Sequence, residues 1–194
     1  MTENLTKFNS RIEAVKQVLL ANGEPNYRLG QVCNFIFKEP VKKYSEIFNI
    51  SKKLRDDLTA ALGNDGLGDV YKRQEVSGEQ VRKFLFSTSD GERIESVLMY
   101  YKPQKEDRHK DFHISLCVST QVGCAMGCKF CTTGNLVGLK RNLSADEIVD
   151  QVLYFKKEGI EIDSVFFSGM GEPFANPNIF DALNMLIGKD YLGM

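Results

Sequence analysis

Four of the five cysteines of this chain fall between residues 117 and 131, in the stretch CVSTQVGCAMGCKFCTTG. Cys117 stands seven residues ahead of a triplet, Cys124, Cys128 and Cys131, spaced CxxxCxxC. The flanks of this stretch constrain the fold. HISLCVST, residues 113 to 120, reads as a buried strand entering the loop. SADEIVDQVLYFKKEG beyond it reads as a helix: Ser144 and Glu147 have capping-box spacing, Ile148, Val152 and Phe155 share a face, and Gly159 stops it. DSVFFSG is then a second strand that runs into GMGEP, and NIFDALNMLIG begins another helix. Strand, loop, helix, strand, loop, with the chemistry-bearing residues after the strands, is the order of a parallel α/β unit whose active edge lies at strand C-termini.

The chain ahead of this unit is of two kinds. Residues 80 to 101 alternate with period two in VRKFLFST and ERIESVLMYYK, which predicts two antiparallel strands turned at SDGE. Residues 1 to 65 are helical in pattern: FNSRIEAVKQVLLANG places Ile12, Val15, Val18 and Leu19 on one face and stops at Gly23, while RLGQVCNFIF and SKKLRDDLTAAL, with Ser51 as cap, are further helices. Cys33, alone in QVCNFIF, reads as a small buried hydrophobe. Between the two regions GNDGLGDVYKRQE is a linker by composition. Its core, LGDVYKRQ, residues 67 to 74, resembles translated sequencing-adaptor sequence and reads equally as a non-native insertion or a solvated turn. The expected domains are therefore residues 1–65, a linker over 66–79, and 80–194.

With 42% hydrophobic and 26% charged residues the chain suits a globular protein, and a net charge of -1 advertises no nucleic-acid partner through its global field. Neither a secretory apolar core nor a run long enough to span a membrane is present, which predicts a cytoplasmic protein. In that reducing setting clustered cysteines are metal ligands or catalytic thiols rather than a disulfide framework. Only two histidines occur, His109 in the charged loop KPQKEDRHKD and His113 beyond it, so a multi-histidine metal site is excluded and both read as solvated or hydrogen-bonded bystanders. Three thiolates on one loop can grip one cube of iron and sulfide. Most ferredoxin patterns supply a fourth cysteine, and a set of three leaves one iron open. Ala125 and Gly127 let the backbone curl, and Phe130 is placed to shield the cluster. The competing reading is a structural zinc with Cys117 as fourth ligand, although zinc sites usually take two short cysteine pairs on separate knuckles.

The triplet with an aromatic residue before its last cysteine, followed by GMGEP after a second strand, resembles the radical S-adenosylmethionine (SAM) superfamily. More closely, LCVSTQVGCAMGCKFCTTG, RNLSADEIVDQVLYF and FFSGMGEPFAN resemble the RlmN/Cfr family of RNA adenine methyltransferases, and NYRLGQV and AALG resemble that family's helical accessory domain. The resemblance implies an α/β fold: an incomplete radical SAM partial (β/α) barrel preceded by a small helical, RNA-binding-like domain and an antiparallel β-hairpin. It implies a 4Fe-4S cluster on Cys124, Cys128 and Cys131, and SAM received at Gly171 and Glu172. It implies Glu95 as proton acceptor, and Cys117 as the thiol that resolves a methyl-cysteine intermediate through a transient disulfide.

The implied activity is methylation of an adenine in 23S rRNA, and also in tRNA, at ring carbon 2, toward which Val122 before Gly123 leans; ring carbon 8 is the alternative. A zinc-stabilised RNA-binding module is the reading from another class. The implied electron donor is a flavodoxin or ferredoxin. Lys140 and Arg141 read equally as RNA phosphate contacts and as a solvated pair. Relative to the family the chain is short: the methyl-carrying cysteine and the later strands have no counterpart after Cys131, so it resembles an N-terminal fragment that is not expected to turn over alone.

Overall fold

The computed structural model describes residues 10–63, 68, 70–102 and 112–194. His109 and most of its charged loop lie outside the described residues. Two compact units are found, one of residues 1–67 with Met185–Gly193 and one of residues 68–184 with Met194.

In the first unit α1 (Arg11–Ala21) is capped by the Ser10 hydroxyl, which accepts the Glu13 N–H at 3.2 Å. A second helix, α2 (Tyr27–Cys33), continues into a π-type turn over Asn34–Lys38, and α3 (Lys52–Leu62) is capped by Ser51. Val15, Leu19, Val32, Ile36, Phe37, Ile47, Leu54 and Leu58 form the core. Cys33 joins them; burial, and secondarily the Asp190 charge, push its thiol up to about 11, the behaviour of a packing group rather than a reactive one.

The second unit is built on a five-stranded sheet in the order β1-β2-β3-β4-β7, with β1 (Val70–Ser77), β2 (Val81–Thr88), β3 (Arg93–Tyr101), β4 (His113–Cys117) and β7 (Ser164–Phe166). All neighbours are antiparallel except β4 and β7, which are parallel and joined through α4 (Ala145–Lys157). β5 (Gln121–Gly123) and β6 (Leu139–Asn142) form a separate antiparallel pair that brackets the cysteine loop. After β7 comes α5 (Ile179–Ile187). The mixed α/β architecture with one parallel β-α-β crossover is the expected start of a partial barrel.

The hairpin turned at SDGE is present, and the capping box of α4 forms with Ser144 and Glu147 in both reciprocal bonds. The stretch 66–79 departs from expectation, since residues 70–77 are an edge strand paired with β2 rather than linker. Val70 faces the core while Lys72, Arg73 and Gln74 are exposed, so the charged side chains that suggested a linker are those an edge strand turns to solvent. On the other strands Phe84 and Phe86 stack against Tyr154 and Phe155 of α4, with an edge-on Phe84–Phe155 contact at 4.7 Å. The opposite sheet face carries the candidate chemistry.

Candidate cofactor site

Strand register decides which side chains share that face. Val97 of β3 lies opposite Cys117 of β4, and Cys117 lies opposite Phe166 of β7. Glu95 is two residues from Val97, so it projects to the same side, on the diagonal from Cys117, a separation of about 7–8 Å between Cα atoms in a regular sheet. The structure thus brings together two residues that stand far apart in sequence. Glu95 is half-exposed and its Oε2 meets Lys83 Nζ at 2.8 Å, a partner on β2 that the sequence reading missed. Cys117 is buried, and its sulfur lies 3.1 Å from the Ser168 hydroxyl, just past the end of β7. Ser168 drew no role from sequence beyond its nearness to GMGEP.

Between Cys117 and the triplet, Ser119, Thr120 and Gln121 stitch the site together, and all three are buried. The Ser119 hydroxyl donates to the Glu95 carbonyl at 2.6 Å and accepts the Met170 N–H at 3.0 Å. Its peptide is held by the Gln151 carboxamide of α4: the Ser119 N–H donates to Oε1 at 2.8 Å, and Nε2 donates to the Ser119 carbonyl at 2.9 Å. The Ser96 hydroxyl also donates to Gln151 Oε1 at 2.8 Å. Gln121 Oε1 accepts the Glu172 N–H at 2.9 Å, and its Nε2 donates to Asn142 Oδ1 at 2.8 Å. Asn176 is also buried, its Nδ2 donating to the carbonyls of Thr120 and Leu143. These amide and hydroxyl groups carry no periodic signature; Ser119, Thr120 and Gln121 stand out only by lying between Cys117 and Cys124, and Asn176 only by its nearness to GMGEP.

The GMGEP turn is therefore docked directly on the segment leading into the cysteine loop. Gly171 is required there: its φ of +99° suits no side chain, and a Cβ would stand 2.6 Å from that of Gln121. Glu172 precedes a short turn over Pro173–Ala175 and accepts the Phe174 N–H through Oε1 at 3.2 Å.

At the head of the cysteine loop Gly123 has φ +77°, and any Cβ would collide with the Gly138 carbonyl, which instead accepts the Cys124 N–H at 3.0 Å. Cys124 is buried, Cys131 intermediate and Cys128 exposed. The Asn135 side chain ties the carbonyls of Cys128 and Cys131 at 2.9 and 2.7 Å. Two features suit sulfurs that carry negative charge. The Met126 N–H points at Cys124 Sγ at 3.5 Å, and the Gly134 N–H, followed by the Thr133 backbone and hydroxyl, holds the Cys131 thiol below its ordinary range. Among the described residues no three His, Cys, Asp or Glu side chains are gathered for a single metal ion. Three thiol donors on one loop are, by their chemistry, the donor type of an iron-sulfur cluster. Phe130 is 93% exposed and does not fold over the loop.

Lys140 and Arg141 are engaged within the protein. Lys140 Nζ meets Glu92 at 2.7 Å, while Arg141 bonds Asp90 at 2.7 and 3.0 Å and Glu147 through two contacts of 2.8 Å. The SDGE turn is thereby fastened to β6 and to the start of α4. First through Arg141, then Thr88, the Asp90 carboxyl is held well below the usual carboxylate range.

A cysteine triplet whose lead-in segment holds a glycine-rich turn, placed after a parallel strand pair, is the arrangement of radical SAM proteins. Residues 118–193 match the model of the Radical SAM superfamily, and residues 3–62 match that of the ribosomal RNA large subunit methyltransferase N-terminal domain. A Staphylococcus aureus protein named ribosomal RNA large subunit methyltransferase Cfr is 44% identical over 181 residues, covering 93% of this chain and 48% of the relative. The Cfr of Clostridium botulinum strain Loch Maree is 38% identical over all 194 residues, 52% of its length. A crystal structure of a radical SAM methyltransferase from Sphaerobacter thermophilus superposes with a TM-score of 0.78 at 32% identity, over 96% of this chain and 53% of that one. The chain is thus similar to RlmN/Cfr-type relatives over nearly all of its own length, and it spans about half the length of the curated relatives it matches. No helix among the described residues is long and apolar enough to cross a membrane.

Proposed function

We propose that this chain carries the cluster-binding and SAM-receiving half of an enzyme that methylates an adenine of 23S rRNA at ring carbon 2, with tRNA as a further substrate. The observation that carries the reading is the convergence on Ser119: one hydroxyl joins the strand of Glu95 to the GMGEP turn, two residues from Cys117. Cys124, Cys128 and Cys131 would hold a 4Fe-4S cluster, with Gly171 and Glu172 receiving the methionine end of SAM. A carboxylate and a close-approaching backbone suit an ammonium group. When bound, cluster and SAM supply the electron and the radical chemistry that no side chain can provide. The protein's own part is orientation and proton handling. Glu95 accepts the proton released from the adenine, Lys83 neutralises the carboxylate beforehand, and Cys117, held by Ser168, is the resolving thiol.

The helical unit is the RNA-facing accessory domain, the electron comes from a flavodoxin or ferredoxin, and the setting is cytoplasmic. Methylation at ring carbon 8 is the second reading, favoured by the name Cfr on the relatives.

Anaerobic reconstitution with iron and sulfide tests the cluster. The expected product is brown, absorbs near 400 nm and holds roughly four irons per chain. Cys124→Ser, Cys128→Ser and Cys131→Ser each abolish it, while Cys117→Ser does not. A colourless chain with one tight zinc would overturn the reading in favour of a zinc-stabilised module.

A further inference from the structure

The loop joining the short turn over Tyr44–Glu46 to α3 is pinned on both sides of one residue. Ile47 is fully buried and Ile50 nearly so, yet Phe48 between them is 79% exposed. Two arginines from different elements clamp this loop. Arg28 of α2 donates to the Asn49 carbonyl at 3.3 Å, and Arg55 of α3 to the Ile47 carbonyl at 3.5 Å. Each guanidinium also lies over an exposed ring: Arg55 is 6.0 Å from the centre of Phe48, and Arg28 is 5.1 Å from that of Tyr27, itself 61% exposed. Arg28 is oriented by Glu24 at 3.2 Å and Gln31 at 2.7 Å, so its role here is to stiffen the surface as well as to charge it. Lys52 and Lys53, both exposed, follow at once on α3.

A rigid loop that displays an aromatic ring to water, when its neighbours are buried, forgoes burial that would stabilise the unit. Rings interleaved with guanidinium groups suit one ligand chemistry well: bases with accessible π-faces, strung on an anionic backbone. Residues 10–62 hold nine Lys or Arg against six Asp or Glu, a local excess that the whole-chain charge of -1 conceals. A protein partner would need carboxylates and an apolar groove, whereas here two exposed rings are set among cations.

We propose that Tyr27 and Phe48, with Arg28, Arg55 and Lys52, form a platform for single-stranded RNA. An unpaired base stacks on Phe48 and a neighbouring one on Tyr27, while Arg55 and Lys52 meet the phosphates between them. The inference rests on the RNA-modifying reading only for the identity of the polymer, and it is independent of the cysteine loop.

The test uses the 194-residue chain and a fluorescent, unstructured RNA about twelve nucleotides long containing 2-aminopurine. Binding is followed by anisotropy, and stacking by quenching of 2-aminopurine emission. Phe48→Ala is expected to weaken binding about tenfold and to relieve the quenching, whereas Phe48→Trp restores both. Because Phe48 is exposed, circular dichroism should be unchanged in either variant. Cys128→Ser, which strikes only the cluster reading, should bind RNA like the parent. Failure of the parent chain to bind this RNA, equal binding by Phe48→Ala, or preference for a fully paired duplex of the same length would each overturn the proposal. A chain that forms no cluster but still shows the Phe48 dependence would sink the methyltransferase reading and leave the platform standing.

Discussion

Replacing Gln151 by Leu removes a carboxamide that makes buried hydrogen bonds to the Ser119 N–H, the Ser119 carbonyl and the Ser96 hydroxyl at 2.8 to 2.9 Å, besides a longer one to the Glu147 carbonyl at 3.3 Å. Ser119 and Ser96 are fully buried, so water cannot replace the lost partners without opening the unit. Each backbone group left unpaired costs about 1–3 kcal/mol, which gives roughly 2–6 kcal/mol for the Ser119 peptide alone. Against a typical total of about 5–15 kcal/mol this is a large loss.

Gln151→Glu is the more revealing change, because its carboxylic acid can still donate to the Ser119 carbonyl and its carboxylate cannot. Burial and the facing carbonyl raise the folded-state pKa of the new acid above its unfolded value of about 4.3. The unfolded state then loses its proton first, so the penalty is absent below about pH 4 and grows as pH rises, by up to about 1.4 kcal/mol per unit, until the folded-state pKa is passed. Urea unfolding of parent and both variants at several pH values between 4 and 8 measures this. Gln151→Leu should be destabilised at every pH and Gln151→Glu progressively more as pH rises, each relative to the parent. A Gln151→Glu chain as stable at pH 8 as the parent, with no differential pH dependence, would refute the buried carboxamide bridge.

Other expectations follow from the same geometry. Gly171→Ala forces a side chain into φ +99° against Gln121, so it should lower stability by about 1–3 kcal/mol, with protection of the Glu172 amide in hydrogen exchange lost first. Asp90 has a depressed folded-state pKa, so its contribution is present above about pH 4, the unfolded value, and is lost as pH falls below it; Asp90→Asn should flatten that part of the acid unfolding curve. With Asp90 47% exposed the pair is screened by solvent, and the effect should stay within about 1 kcal/mol and shrink in high salt. Alkylation by iodoacetamide, read peptide by peptide, should reach Cys128 and Cys131 well before Cys33, given that Cys33 is buried with a raised pKa; rapid labelling of Cys33 would contradict its place in the core.

Local signals were the readable ones. Ser51 and Ser144 each cap the helix that follows, because a hydroxyl before an apolar-periodic run is a short-range interaction written in neighbouring residues. Period-two alternation likewise announced β2 and β3. The strand β1 was hidden because an edge strand exposes much of its length, and its Lys72, Arg73 and Gln74 look like linker residues. In α4 the pattern showed an apolar stripe but not that Asp146, Glu147, Asp150 and Gln151 are buried as well, since what covers a polar face is decided by distant segments.

The same limit applied at the site. Cys124, Cys128 and Cys131 stand out through spacing alone, whereas the Lys83 partner of Glu95, the Ser168 contact of Cys117 and the hub at Ser119 join strands and turns that no periodicity links. Arg141 is the reverse case, a basic residue suggestive of RNA that the fold spends on Asp90 and Glu147.

The central claim is that three thiolates hold a cube of iron and sulfide by three corners and leave the last iron open to SAM. Mössbauer spectroscopy of the iron-57-reconstituted chain, before and after adding SAM, addresses it most directly. The account predicts that about a quarter of the iron signal moves to a higher-coordinate site while the rest stays in place. A spectrum in which every iron remains sulfur-ligated and indifferent to SAM would contradict it.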